Sequence, residues 1–315
     1  MKIIAVDSFT LNSGDLSWDS INALGDLELH KRTDTAELIQ RCSQAHVILT
    51  NKVSFDEETI AQLPKLRLLC VTATGYNIVD INAAQKRGIC VCNVPDYGTD
   101  SVAQHTFALI LELANRVGQH SESVHKGQWV ACRDFSYSLT PLIELKDKIL
   151  GLVGFGSIGQ KTAEIARAFG MQVLYHTPNK KNTSLAEYCD LSEIFEKSDF
   201  VSLHLPLKSD NGNFVNRGLL SKMKKTAFLI NTSRGQLINE KDLAEALNSK
   251  SIAGAAIDVL STEPPESNNP LLNSANCIVT PHNAWMSREA RQRIMDITAE
   301  NIKSFLEGNA INKVN

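Results

Sequence analysis

At 315 residues the chain is long for one hydrophobic core, so two domains are expected. With 43% hydrophobic and 21% charged residues it reads as an ordinary soluble globular protein, and a formal net charge of -3 gives no electrostatic reason to expect a nucleic-acid or anionic-membrane partner. The opening stretch, MKIIAVDSFT, has an apolar run too short for a secretory signal, and the richest later run, FALILELA, contains Glu112 and falls short of a membrane span. The expectation is a cytoplasmic protein, and its seven scattered cysteines fit reduced thiols rather than a disulfide framework.

Short apolar, β-branched runs recur at helix-length intervals, beginning with KIIAV, HVILT, LRLLCVT and GICVCNV. Alternation along GICVCNV puts Cys90 and Cys92 on one strand face, where buried structural thiols are the reading preferred over a metal pair. NVPDYGTDS then gathers loop-forming residues and reads as a hinge. The following SVAQHTFALILELANRVGQHSESV is helical, with Val102, Phe107, Leu109, Ile110 and Leu113 in an apolar stripe whose first reading is core packing and whose second is a subunit interface.

A second series of strand-like runs follows: KILGLVGFG, MQVLYH, FVSLHLP, TAFLINT, IAGAAIDV and CIVTPH. Such nearly unbroken runs indicate parallel strands covered on both faces. The last segment, REARQRIMDITAENIKSFLEG, is an amphipathic helix stopping at Gly308, and coming after a complete second sheet it is read as returning to the first domain. The fold class is therefore α/β, two Rossmann-like doubly wound parallel-sheet domains with the first discontinuous. The expected division is residues 1–99 with 286–315 as the substrate domain, and 100–285 as the dinucleotide-binding domain.

ILGLVGFGSIGQKTAEIARAFG places Gly154, Gly156 and Gly159 in G-x-G-x-x-G spacing after an apolar strand and before an amphipathic helix from about Gly159 to Phe169. Gly154 permits a tight turn, Gly156 lets backbone approach a pyrophosphate, and Gly159 lets helix and strand pack. The helix N-terminus then offers unpaired N–H groups to phosphates. The acidic residue that usually holds the adenosine ribose is missing, since no Asp or Glu occurs between Glu164 and Glu187. His176 and Thr177 end the second strand, with Lys180 and Lys181 just beyond.

Each of the last three strands runs into a segment with one conspicuous ionisable group: Arg234 after TAFLINT, Glu263 after IAGAAIDV and His282 after CIVTP. All three are expected beyond the carboxyl ends of the strands, where open α/β sheets bind ligands. Singly they read as a loop arginine, a solvated glutamate and a satisfied histidine. Together they form a kit for hydride transfer to a 2-keto acid: an arginine fork for the carboxylate and carbonyl oxygen, a histidine to deliver the proton, and a carboxylate that favours imidazolium and fixes the ring. Asp258, at a strand tip, has two open readings, a contact with the nicotinamide end or an ordinary turn cap.

Across nearly its whole length the chain resembles the D-isomer-specific 2-hydroxyacid dehydrogenases, in VTATGYNIVDINAA, GTDSVAQHTFALIL, GLVGFGSIGQ, VSLHLPL, LINTSRGQLINEKDLAEAL, GAAIDVLSTEPP and TPHNAW. PLIEL and PHNAW most resemble the glycerate dehydrogenase, or hydroxypyruvate reductase, branch. The resemblance implies Arg234, Glu263 and His282 as catalytic residues and backbone amides at Thr74 and Gly75 as further substrate contacts. It implies that Thr106, Ser157, Ile158, Thr177, Leu205, Pro206, Thr232 and Asp258 line the cofactor beside the three glycines. It also implies a homodimer built on the nucleotide domain. Thr177 departs from the family's frequent Asp, and Gln104 stands where Glu is common.

The resulting expectation is an enzyme that interconverts hydroxypyruvate and D-glycerate, with glyoxylate as a second substrate. Its cofactor is NAD with dual NAD/NADP use, closure of the hinge excludes water, and no metal is required. The rival activities are D-lactate dehydrogenase or a broad 2-keto-acid reductase. A rival of another class is a corepressor-like dinucleotide sensor, against which stand the full Arg, Glu and His set and the lack of appreciable tails.

Overall fold

Unbroken apolar runs suit a sheet that is covered on both faces, and the computed structural model, which describes residues 1–315, arranges them in two sheets whose strands all pair in parallel. The chain divides into two compact units, Met1–Gly98 with Met286–Asn315, and Thr99–Trp285.

The first unit contains β1 (Lys2–Ala5), β2 (Asp26–Leu29), β3 (Val47–Thr50), β4 (Leu68–Val71) and β5 (Cys90–Cys92) in the order β2-β1-β3-β4-β5. β3 and β4 are buried along their whole length, and Ile48, Leu69 and Val71 join Ile4 and Val91 in one core. Absent from the sequence reading is β2, an edge strand whose DLEL is only half covered, so it shows no unbroken apolar run. Cys90 and Cys92 are buried with Sγ atoms 3.7 Å apart, and all seven cysteines are free thiols.

The returning helix, Arg288–Leu306, buries Ala290, Ile294, Met295 and Ile302 in this unit, and Gly308 ends it at φ +82°. The tail beyond it covers the other sheet edge: Lys313 bridges to Cys92 antiparallel, and Val314 N donates to Val91 O at 2.9 Å. Arg291, 9% exposed, holds Asp15 through two 2.7 Å bonds.

That fork draws the Asp15 carboxyl down from 3.8 to about 2. With its folded pKa depressed, Asp15 contributes fully above 3.8, and the contribution is lost as pH falls towards about 2. Asp15→Asn is therefore expected to melt below the wild type at neutral pH, with the gap closing through that acid window. Thermal melts across the range check it, and a constant gap counts against it.

The second unit contains β6 (Ile149–Val153), β7 (Gln172–His176), β8 (Glu187–Tyr188), β9 (Phe200–Leu203), β10 (Phe228–Asn231), β11 (Gly254–Ile257) and β12 (Cys277–Val279), in the order β12-β11-β10-β9-β6-β7-β8. The two-residue edge strand β8 also escapes a reading by apolar runs. Phe107, Leu109, Ile110 and Leu113 of the Thr99–Asn115 helix are buried in one core with Leu150, Leu152 and Tyr175. The sequence treats residues through Val124 as one helical stretch, but Arg116 at φ +50° breaks it and a second helix runs Val117–His125. A left-handed residue cannot continue a right-handed helix, and arginine carries no sequence signal for it.

Candidate active site

The turn after β6 shows why its glycines are glycines. Gly154 lies at φ +98°, and a Cβ there would meet His204 O at 2.1 Å. At Gly159 a Cβ would meet Gly154 O at 2.6 Å, so helix and turn touch through bare backbone. Gly156, which caps the Ser157–Ala168 helix, has nothing within 4 Å of its Cβ direction. This opening at the start of a 12-residue helix fits the approach of a pyrophosphate. The helix begins at Ser157, two residues before the sequence reading starts it, so Ser157 and Ile158 supply its first N–H groups.

Beyond the neighbouring strands the other cofactor candidates fall on the same carboxyl edge. Thr177 follows β7 and is partly buried, and Leu205 and Pro206 follow β9. Thr232, after β10, is 9% exposed and its hydroxyl lies 3.2 Å from that of the fully buried Thr106. His204 is pushed down to about 4 by burial, so it is neutral near pH 7, and its Nε2 meets Ser202 Oγ at 2.9 Å.

Three adjacent strands carry the ionisable trio. The turn after β10 is built on buried Asn231, whose amide donates to Arg234 O at 2.8 Å and whose Oδ1 accepts from Ser233 N at 3.0 Å. Arg234 itself is exposed, with Nη1 donating to Ser233 O at 2.7 Å. Its neighbour Gly235 presses on the turn after β11, where a Cβ would fall 1.9 Å from Leu260 C. In that turn Glu263 Oε1 accepts from Leu260 N at 3.0 Å, and Oε2 lies 2.7 Å from His282 Nδ1.

A carboxylate only accepts, so Nδ1 carries the hydrogen of that contact and Nε2 is the nitrogen left for chemistry. Thus Glu263 fixes both the tautomer and the ring plane. His282 also sits at φ +52°, a left-handed conformation that a non-glycine residue adopts at some cost.

Asp258 holds that conformation in place. Its carbonyl accepts from His282 N at 2.8 Å, its Oδ1 from Thr280 Oγ1 at 2.6 Å and Asn283 N at 3.0 Å, and its Oδ2 from Ala284 N at 3.0 Å. His105, from the Thr99–Asn115 helix, stands 3.5 Å from Oδ1. Burial opposes ionisation of Asp258, but the bonds from His105, Thr280, Ala284 and Asn283 together hold its carboxyl below the usual range. These contacts make Asp258 a cap of the turn that carries His282.

With this geometry in hand, the comparisons with known proteins are specific. Residues 107–284 match the model of the D-isomer specific 2-hydroxyacid dehydrogenase NAD binding domain. A hydroxypyruvate reductase of Blautia hydrogenotrophica is 44% identical, with 100% of both chains covered. The chain belongs to the D-isomer specific 2-hydroxyacid dehydrogenase family. A glycerate dehydrogenase of Methylorubrum extorquens is 37% identical over 88% of each chain. Among solved structures, an acyclic imino acid reductase in complex with NADPH and D-Arg superposes with a TM-score of 0.89 at 34% identity, covering 100% of both chains.

The dehydrogenase uses scaffold residues that the sequence reading passed over. Asn231, Gly235 and His105 shape the turns that carry Arg234, Glu263 and His282. The partners of Gly235 and His105, Leu260 and Asp258, are close in space but distant in the chain, so spacing gives no sign of them. In the first unit, Thr74 and Gly75 follow β4, where Thr74 Oγ1 donates to Val94 O at 2.9 Å and Thr74 O accepts from Asn93 Nδ2 at 2.8 Å. No helix of this dehydrogenase is long and apolar enough to cross a membrane.

Proposed function

We propose that this dehydrogenase reduces hydroxypyruvate to D-glycerate and takes glyoxylate as a second substrate. The observation that carries the reading is the Glu263–His282 pair, 2.7 Å apart on the turns after β11 and β12, the first of which lies beside the turn after β10 that bears Arg234. The names of the two relatives, hydroxypyruvate reductase and glycerate dehydrogenase, favour this substrate over other 2-keto acids.

In the proposed mechanism Arg234 takes the substrate carboxylate and carbonyl oxygen with its planar fork, helped by the amides of Thr74 and Gly75. Bound NAD(P)H supplies the hydride that reaches the keto carbon. His282 Nε2 protonates the oxygen as negative charge develops there, and Glu263 stabilises the imidazolium before that transfer. Gly154, Gly156, Ser157, Ile158 and Gly159 are the residues proposed to hold the pyrophosphate. Thr106, Leu205, Pro206, Thr232 and Asp258 are proposed to line the rest of the dinucleotide.

For the cofactor, Thr177 stands where an acid would repel a 2′-phosphate, so NAD is used with relaxed discrimination against NADP. Optical assays of NADH and NADPH oxidation against hydroxypyruvate, glyoxylate, pyruvate and bulkier keto acids test both proposals. Hydroxypyruvate is expected to give the highest kcat/KM, and a higher value for pyruvate would overturn the substrate. A preference for NADH above about 10³-fold, near 4 kcal/mol, would show that another feature rejects the phosphate.

We further propose a homodimer. Residues Val117–Leu142 expose a run of large apolar side chains, among them Val130 at 93% and Phe135 at 91%, which a second copy would cover. Val130→Asp with Phe135→Asp is expected to yield monomers by light scattering, and an unchanged mass places the interface elsewhere. The free thiols suit a reducing compartment, and the cytoplasm is the proposed location.

A further inference from the structure

The loop after β7 is tied to the glycine turn by one side chain. Tyr175, 1% exposed, stacks its ring on Phe155, between Gly154 and Gly156, with centroids 4.2 Å apart. It also packs edge to face with Tyr188 of β8, ring centroids 5.5 Å apart. The hydroxyl donates to Lys181 O at 2.8 Å and accepts from Lys181 N at 2.9 Å, so both backbone groups of that residue close on it. Lys180 Nζ stands 5.8 Å from the Tyr188 ring centroid. Between the strand and this clasp lie Thr177 to Lys180, at the ribose end of the dinucleotide site.

We propose that Tyr175 is a positioning residue that locks this loop against the glycine turn and so sets the selectivity between NADH and NADPH. The proposal rests on the dinucleotide reading above. The two cofactors share the pyrophosphate and differ only at the ribose 2′ position. Selectivity therefore depends on where the loop lies relative to the turn, and Tyr175 touches both. A ribose hydroxyl needs little more than Thr177, directly at the strand end. A dianionic phosphate needs loop donors and lysine charge held at a fixed distance from the turn, so it depends more on the clasp.

Tyr175→Phe keeps the ring contacts and removes only the hydroxyl, so the core is retained. Lys181 is exposed, and its freed backbone groups turn to water rather than unfold the domain. Two measurements test the inference. In cofactor-free protein, hydrogen exchange at the Lys181 amide is expected to quicken by about tenfold or more, the worth of one or two ordinary hydrogen bonds.

In steady-state assays with hydroxypyruvate, KM for NADPH is expected to rise about tenfold and KM for NADH by less than about threefold, with kcat unchanged. Equal shifts for both cofactors, no shift for either, or unaltered exchange at Lys181 would each overturn the proposal. The wild-type NADPH-to-NADH ratio tests the reading of relaxed selectivity, whereas the change of that ratio in Tyr175→Phe tests the clasp. Either can therefore fail without the other.

Discussion

His282→Gln is expected to lower kcat with hydroxypyruvate by roughly 10²- to 10⁴-fold, the usual worth of a positioned general acid. Glutamine retains a polar head that can reach Glu263, but it has no proton to give near neutral pH. Water must then protonate the developing alkoxide. The site is strict about the backbone here, because His282 lies at φ +52° and its amide is held by Asp258 O. His282→Asn is therefore a useful companion, since asparagine tolerates that conformation better than glutamine and still lacks the proton. Both variants should be slow and should bind cofactor normally. Near wild-type turnover, with a full isotope effect from deuterated cofactor showing that chemistry limits the rate, would remove His282 from the mechanism.

The Glu263 contact makes a related distinction. Glu263→Gln retains a partner for Nδ1 but removes the charge that stabilises imidazolium, so a smaller loss than in His282→Gln is expected.

Arg234→Lys is expected to reduce kcat/KM by roughly 10²-fold or more, because the two charge-assisted bonds of a planar fork are each worth about 1.5–3 kcal/mol and an ammonium cannot make both. Asn231 holds the Arg234 carbonyl and not its side chain, so the turn itself should survive the substitution. The loss separates the two roles assigned to the guanidinium. If it only holds the carboxylate, KM rises and kcat stays; if it also polarises the carbonyl oxygen, kcat falls too. Preservation of both parameters would move the carboxylate clamp to another residue.

The strands buried on both faces were legible because that environment demands unbroken apolar runs such as VILT, FVSL and GAAI. The glycine turn was legible from its spacing, because backbone leaves no room for Cβ at Gly154, against His204 of a neighbouring strand end, or at Gly159, against Gly154 itself. The positions of Arg234, Glu263 and His282 followed from strand ends alone, since a parallel sheet sends all its carboxyl ends to one edge. Edge strands β2 and β8 were not legible, because with one side open they need no apolar run. The break at Arg116 was not legible either, because its left-handed φ belongs to a residue type that does not announce it.

By itself, then, the sequence determined the two-sheet α/β plan, the dinucleotide turn and the identities of the ionisable trio, all consequences of local burial and chain direction. Only the tertiary structure decided how those groups are held. Asp258 is bound by residues 22 to 26 positions later, Glu263 reaches His282 across 19, and Gly235 is wedged against Leu260. The physical reason is that hydrogen bonds and steric limits act over a few ångströms in space, whatever the separation along the chain. A pattern of residue types records which groups are available, but the crossing of three strand-end turns is what brings them within reach of one another.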